Sequence, residues 1–305
     1  MRKTTKISLL IAILLILAGG SLFVCTMTTL RWDFAGLSTI QYKTNTYVVT
    51  EDFQDITIDS EIADILFLPT YEGRCRVVCD EETNTKYIVE VVDGTLTIEF
   101  VSDKSISDYI RNIGINLYSP KLTIYLPKAV YQQLTIREDT GDIKLLGDFH
   151  FESMDLSLHT GDVSCYASVS GQMKIKTSTG DIRVENVSAD EVELTVSTGD
   201  VHLEDIQCNT LKSSGNTGDI LLKNVVATES ISIIRTTGDV RFDGADAAAI
   251  FVETDTGDVT GTLLTDKVFT THTRTGGVDV PKTTIGGNCQ ITTSTGDIHI
   301  TYHQS

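Results

Sequence analysis

Residues 173–203 read MKIKTSTGDIRVENVSADEVELTVSTGDVHL, two copies of one unit set end to end. Counted from Asp181 and Asp200, apolar residues stand at −8 and −6 (Met173, Ile175; Val192, Leu194), at +1 and +3 (Ile182, Val184; Val201, Leu203) and at +6 (Val187; Ile206). A spacing of two within each pair puts these side chains on one face of each of two strands and leaves the polar residues between them in water. Alone, such a unit cannot bury its apolar row. Stacked at ~4.8 Å, like residues lie above one another and form a continuous core.

Outward from this pair the same tripeptide recurs at Gly141-Asp142, Gly161-Asp162, Gly180-Asp181, Gly199-Asp200, Gly218-Asp219, Gly238-Asp239, Gly257-Asp258 and Gly296-Asp297, each preceded by Thr and followed by Ile or Val. A worn copy, Thr275-Gly276-Gly277-Val278, fills the only gap, and the spacing between successive copies never varies by more than a single position. So constant a period implies one structural unit stacked on itself, because independent loops would differ in length. The expected fold class is all-β: a single-chain β-solenoid of about 19–20 residues per rung. The triplet lies between the two strongest strands, so we read it as a structural turn motif. Gly supplies the positive φ that a type II turn wants at its third position, and Asp accepts backbone N–H groups in the same corner.

The 305 residues are 41% hydrophobic and only 7% aromatic, with abundant Thr, Val, Ile and Asp, a composition that suits strands and tight turns. Beyond residue 30 there are 21 basic against 42 acidic residues, which argues against a nucleic-acid partner. Six scattered cysteines, Cys25, Cys75, Cys79, Cys165, Cys208 and Cys289, lack the spacing of a disulfide framework; the close pair Cys75 and Cys79 reads as buried free thiols, and Cys165 and Cys289 fall on apolar repeat positions.

At the N-terminus Arg2, Lys3 and Lys6 precede Ile7 to Leu30, which carry no charge. As a helix this stretch reaches ~36 Å, enough to cross a bilayer core of ~30 Å. The basic flank predicts a single-pass protein of the cell membrane, with its N-terminus cytoplasmic and the acidic body extracytoplasmic. A cleaved signal peptide ending near Ala18-Gly19-Gly20 is the rival reading, weakened by the apolar run through Val24. The resulting division is 1–30 anchor or signal peptide, 31–50 stalk, 51–130 irregular β cap with degenerate rungs, and 131–303 regular solenoid.

Within the irregular part, Phe53 to Phe67 reproduces the repeat with Ala63 in the Gly position and Asp64 in the Asp position. Asp64 precedes Asp142 by the length of four repeats, which suggests further worn rungs between them. Short strands are expected around Arg74–Cys79, Tyr87–Val92, Leu96–Phe100, Ile115–Leu117 and Leu122–Leu126, with a hairpin at Asp93-Gly94. Residues 102–114 break this rhythm and read as a loop or short helix.

Stacked Asp carboxylates would repel, and a row of calcium ions would relieve them. No Gly-Gly-x-Gly-x-Asp nonapeptide is present, so no cofactor and no metal site is assigned. A Thr-x-Thr ladder like that of ice-binding solenoids is interrupted by Glu138, Leu158, Val196, Gly215 and Arg235. The histidines His150, His159, His202, His272, His299 and His303 occupy different repeat phases, and no loop between Thr140 and Asp297 is long enough to wall a cleft. No catalytic residue is assigned and no enzyme is expected.

The iterated Ser/Thr-x-Thr-Gly-Asp-Ile/Val motif from Thr140 to Ile298, the worn rung at Asp64 and the strands from Val89 to Phe100 resemble a bacterial family of putative adhesins built from β-strand repeats. The resemblance spans about residues 50–303. It implies a cell-envelope protein of unknown function, with one membrane helix in some members and envelope-stress roles in others, and it brings no catalytic residues. The implied function is a non-enzymatic, adhesin-like module that contacts the membrane through residues 7–30 and an unknown protein or glycan ligand at the surface. An accessory protein acting on a membrane stress sensor is the alternative. Any localised function is expected in the irregular first third, and Gly277 is expected to break any function that needs an unbroken carboxylate row.

Overall fold

The computed structural model describes residues 3–29, 32, 42–82, 84–103, 118–147 and 149–302. The expected strand at 115–117 and most of the expected loop at 102–114 lie outside them. Helix α1, Lys3–Thr29, contains Leu9–Thr29, a stretch long and apolar enough to cross a membrane. Its Leu, Ile, Phe and Val side chains from Leu9 to Val24 are exposed, as an apolar helix in lipid requires.

The other regular elements among the described residues are strands. In the first part these are β1 Lys43–Val49, β2 Asp55–Ile62, β3 Asp64–Thr70, β4 Cys75–Glu81, β5 Thr85–Val92, β6 Thr95–Ser102 and β7 Lys121–Pro127. The regular array then runs β8 Val130–Thr140, β9 Ile143–Leu145, β10 His150–Thr160, β11 Val163–Cys165, β12 Ser168–Val169, β13 Gln172–Thr179, β14 Ile182–Ser188, β15 Glu191–Thr198, β16 Val201–Thr217, β17 Ile220–Thr237, β18 Val240–Ala245, β19 Ala249–Thr256 and β20 Val259–Leu263. It ends with β21 Lys267–Thr275, β22 Val278–Asp279, β23 Gly287–Thr295 and β24 Ile298–Tyr302. Each strand from β8 to β20 pairs in parallel with the residues one repeat away, for example Met173 with Val192 and Ile182 with Val201. This is an all-β solenoid, and its core is the stack of residues at −8, −6, +1 and +3.

The stacking order departs from the chain order at both ends. β2 and β3 pair directly with β8 and β9, setting Ile58 against Ile136 and Ile65 against Ile143. The segment between Asp64 and Asp142 therefore does not hold four rungs of one stack. It contains one further parallel rung on the outer side, β6 against β2 and β7 against β3, and two strands that run antiparallel, β5 on β6 and β4 on β7, with β1 from before the segment antiparallel on β4. A change to antiparallel pairing ends a parallel stack without leaving its first rung as an open edge. The expected hairpin joins β5 to β6 with positive φ at both Asp93 and Gly94, as a type I′ turn demands.

At the C-terminal end β23 and β24 are intercalated. β23 pairs with β19 on one side and β21 on the other, and β24 pairs with β20 and β22. The last rung in sequence is thus the penultimate rung in space. All five cysteines beyond α1 are buried free thiols.

The position −4 from each Asp also faces inward. Glu138, Leu158, Thr177, Val196, Arg235, Thr254 and Thr293 are buried. The interrupted Thr column is therefore part of the interior, not an outward ladder. Where it holds Thr177 or Thr293, the hydroxyl donates to the corner carbonyl of Gly161 or Gly257, at 3.2 and 3.1 Å. Where it holds Gly215, the neighbouring Arg235 lies across the vacant space and donates to Ser213 Oγ at 3.0 Å.

Glu138 occupies this column at the junction between the cap and the array, accepting from Ala63 N–H at 3.2 Å. Burial pushes its carboxyl up to about 8 from 4.5, against the opposing pull of hydrogen bonds from Ser60 and the backbone. The folded chain therefore holds a proton that the unfolded chain has released above pH 4.5, so stability declines as pH rises through this window and levels off above about 8. Melting temperature measured from pH 5 to pH 9 is expected to show this decline in the native chain and a flatter profile in Glu138→Gln.

Candidate functional site

The predicted turn residues form a single column on the edge between the two main sheet faces. At the corners Gly141, Gly161, Gly180, Gly199, Gly218, Gly238, Gly257 and Gly296 have φ between +136° and +155°, apart from +128° at Gly218. This lies far from the ~+80° of a type II turn and in a region open essentially to Gly alone. A second requirement comes from stacking. A Cβ on Gly199 would meet the carbonyl oxygen of Gly180 at 2.1 Å, and each other corner Gly faces its neighbouring rung in the same way.

The Asp side chains bond between rungs and not within their own corner. Oδ1 of Asp142 accepts the backbone N–H of Asp162 at 3.0 Å, and the relation repeats from Asp162 to Asp181, then Asp200, Asp219, Asp239, Asp258 and Asp297, at 2.7–2.8 Å. Asp64 begins the series by accepting from Asp142 N–H at 3.2 Å, and Asp297 ends it by accepting from Gly277 N–H at 2.7 Å. Gly277 thus stands at the end of the column, where no further rung among the described residues offers an N–H. The carboxylate row from Asp64 to Asp297 is continuous, contrary to the break expected from sequence order.

Because the hydrogen bond and not the charge joins the rungs, Asp200→Ala is expected to cost about 1 kcal/mol in denaturant unfolding. Asp200→Asn, which keeps an acceptor and removes a like charge from the row, is expected to match or exceed the native chain.

A second corner escaped the sequence reading. Asn186, Asp205 and Asn224 adopt positive φ of 53–55°, followed by Gly244 at 73°, the left-handed conformation that Asn, Asp and Gly tolerate best. Their constant offset of +5 from the Asp column was the available signal. Asn224 Nδ2 donates to Asp205 Oδ1 at 3.0 Å, adding a further inter-rung bond.

Between these corners, on the outward face of β14, β16 and β17, lies a concentrated group of ionisable side chains. Glu185 and Glu204 are in register on adjacent rungs, as are Arg183 and His202. Like charges directly opposite are unfavourable, and cations surround them. Arg183 binds Glu185, Lys223 Nζ lies 2.6 Å from Glu204 Oε1, and His202 Nε2 lies 3.2 Å from Glu204 Oε2. Lys223, then His202, hold the Glu204 carboxyl below its usual range. Glu185, His202 and Glu204 together offer three ligand atoms within 4.8 Å of one another.

Beside this group, around Asn186, a cleft of about 580 Å³ is lined by Leu146, Phe149, His150 and Tyr166. Among the other described histidines, His159 and His272 are exposed and His299 pairs with Asp279 at 3.0 Å. The Glu185, His202 and Glu204 group lies in the regular array, while the irregular first third carries its own polar network, in which Thr44 and Tyr118 donate to Asp80 and Tyr47 donates to Glu81.

Parallel rungs, a corner column of Gly and Asp, and one apolar N-terminal helix define a β-solenoid of the repeat-built kind. The chain belongs to the Toastrack DUF4097 family, whose model matches residues 53–260 and again 205–305. Among solved structures it is similar to a putative adhesin from Bacteroides fragilis NCTC 9343, at 18% identity and TM-score 0.48, over 87% of this chain and 99% of that one. It is also similar to a putative cell adhesion protein from Clostridium sporogenes ATCC 15579, at 13% identity and TM-score 0.31, over 86% and 100% of the two chains. A third similar structure is a putative lipid binding protein from Parabacteroides distasonis ATCC 8503, at 15% identity and TM-score 0.40, over 72% and 96%. No curated protein matches the chain.

Proposed function

We propose that this chain is a non-enzymatic, adhesin-like binding module, held at the cell membrane by α1 with its N-terminus in the cytoplasm and its solenoid outside. The observation that carries the reading is the stack of corners from Ala63 to Gly276, each in contact with the next. Nine steps of ~4.8 Å make a rigid body ~43 Å long whose outward residues recur in straight rows. Rows of this kind suit repeated weak contacts with an extended protein or glycan, because each added contact is intramolecular once the first has formed. The excess of acidic residues in the body directs the choice away from nucleic acid.

The test uses cells carrying the full-length chain. External protease is expected to digest the solenoid in intact cells while α1 stays with the membrane, and deletion of the chain is expected to reduce surface attachment. A solenoid protected from external protease would contradict the topology. Unchanged attachment with altered envelope-stress signalling would replace the adhesin reading with the sensor-accessory one.

A further inference from the structure

We propose that Glu185, His202 and Glu204 form a binding site for a divalent transition-metal ion, with zinc the best match. Their ligand atoms converge within 4.8 Å, and the His202–Glu204 pair already stands at 3.2 Å. Ligands around a tetrahedral zinc, at ~2.0–2.2 Å from the ion, lie about 3.4 Å apart, so small side-chain rotations complete the set. The three residues sit on β14 and β16, which are locked in register by parallel pairing on consecutive rungs, and rigid strands hold ligands better than loops do.

Donor chemistry selects the metal. One imidazole nitrogen and two carboxylate oxygens suit zinc and its first-row neighbours, whereas calcium takes oxygen ligands. Three protein ligands leave a position for water or for an atom of a bound ligand.

The surrounding cations define what metal binding must displace. Lys223 engages Oε1 of Glu204, while Oε2 faces His202 Nε2 at 3.2 Å, a contact that an ion bound by both atoms would replace. Arg183 engages Glu185 and lies 3.9 Å from Glu204 Oε2, so it is the competitor that an arriving ion replaces. The Asp column offers no equivalent, because it supplies carboxylate oxygens alone and no imidazole nitrogen.

The experiment is calorimetric titration of the full-length chain in detergent with zinc chloride, after treatment with chelator. One zinc per chain is expected. His202→Ala and Glu185→Gln are each expected to weaken binding by about tenfold or more, and Arg183→Met to tighten it. Excess calcium chloride is expected to leave the zinc isotherm unchanged. All three substitutions lie outside the core, and coincident metal-free melting curves check that each variant is folded. Zinc binding unaffected by His202→Ala and Glu185→Gln, or abolished instead by His299→Ala at the Asp279 pair, would overturn the assignment. So would the absence of any zinc heat.

Discussion

Gly199→Ala is expected to destabilise the solenoid by at least ~3 kcal/mol. Two costs combine. The backbone stands at φ +144°, where a non-Gly residue carries strain of ~1–3 kcal/mol. The new methyl would also sit 2.1 Å from the Gly180 carbonyl oxygen and 2.6 Å from its carbon. Neither neighbour is a flexible side-chain end, so relief requires two rungs to move apart in the middle of the stack. Gly277→Ala provides the comparison. Its Cβ would meet only Asp297 Oδ1, at an ordinary 3.6 Å, and its φ is not positive, so a change within ~0.5 kcal/mol is expected. Urea unfolding of the two variants measures the difference.

Asp246→Ala is the second large effect, and it acts on the intercalated end. Lys267, on the last rung of the stack, is buried, and its Nζ reaches Asp246 Oδ1 at 2.5 Å. Between them lies the inserted β23, where Gly287 is the register partner of Lys267 and is packed so closely that its Cβ would meet the Ala248 carbonyl oxygen at 2.2 Å. The lysine thus passes over a glycine to an acceptor on the far side, and the ion pair clasps the inserted rung. Removing the carboxylate leaves a buried ammonium without its counter-charge, a loss of ~3–5 kcal/mol. The double variant Asp246→Leu with Lys267→Met is expected to recover most of it, since neither charge is then stranded. Amide hydrogen exchange should quicken first in β23 and β24.

The repeat, its strand positions and the solenoid class were legible because Met173, Ile175, Ile182 and Val184 recur at fixed offsets in unit after unit. Their burial follows directly from that periodicity. Rung order was not legible, because local pattern specifies what a rung looks like and not which rung lies beside it. Asp64 and Asp142 illustrate the point. They are four repeat lengths apart in the chain and one rung apart in space, since the chain between them leaves the stack for an antiparallel excursion. Gly277 carried a topological message that reads only in three dimensions. A position with no following N–H has no use for a carboxylate, so its loss marks the end of the column.

The site shows the same division. His202 forms no cluster in the sequence because Glu185 belongs to the preceding repeat, and only stacking in register brings position +4 of one unit beside +2 and +4 of the next. Inward-facing Glu138 and Arg235 were misplaced for a related reason. Polar residue types imply an outward face, whereas the strand's alternation continues inward through −4.

The order of the last three rungs is tested most directly by cysteine pairs placed in the outward Thr column of the full-length chain, in a Cys25→Ser background. Thr256 and Thr295 are register partners, as are Thr295 and Thr275, while Thr256 and Thr275 stand two rungs apart, at ~9.6 Å. A disulfide needs Cα atoms within ~7 Å. Oxidation followed by peptide mass mapping is expected to find the bond in Thr256→Cys/Thr295→Cys and not in Thr256→Cys/Thr275→Cys. Efficient bonding of the second pair, with none in the first, would mean that the rungs stack in chain order and that the Asp column is broken at Gly277.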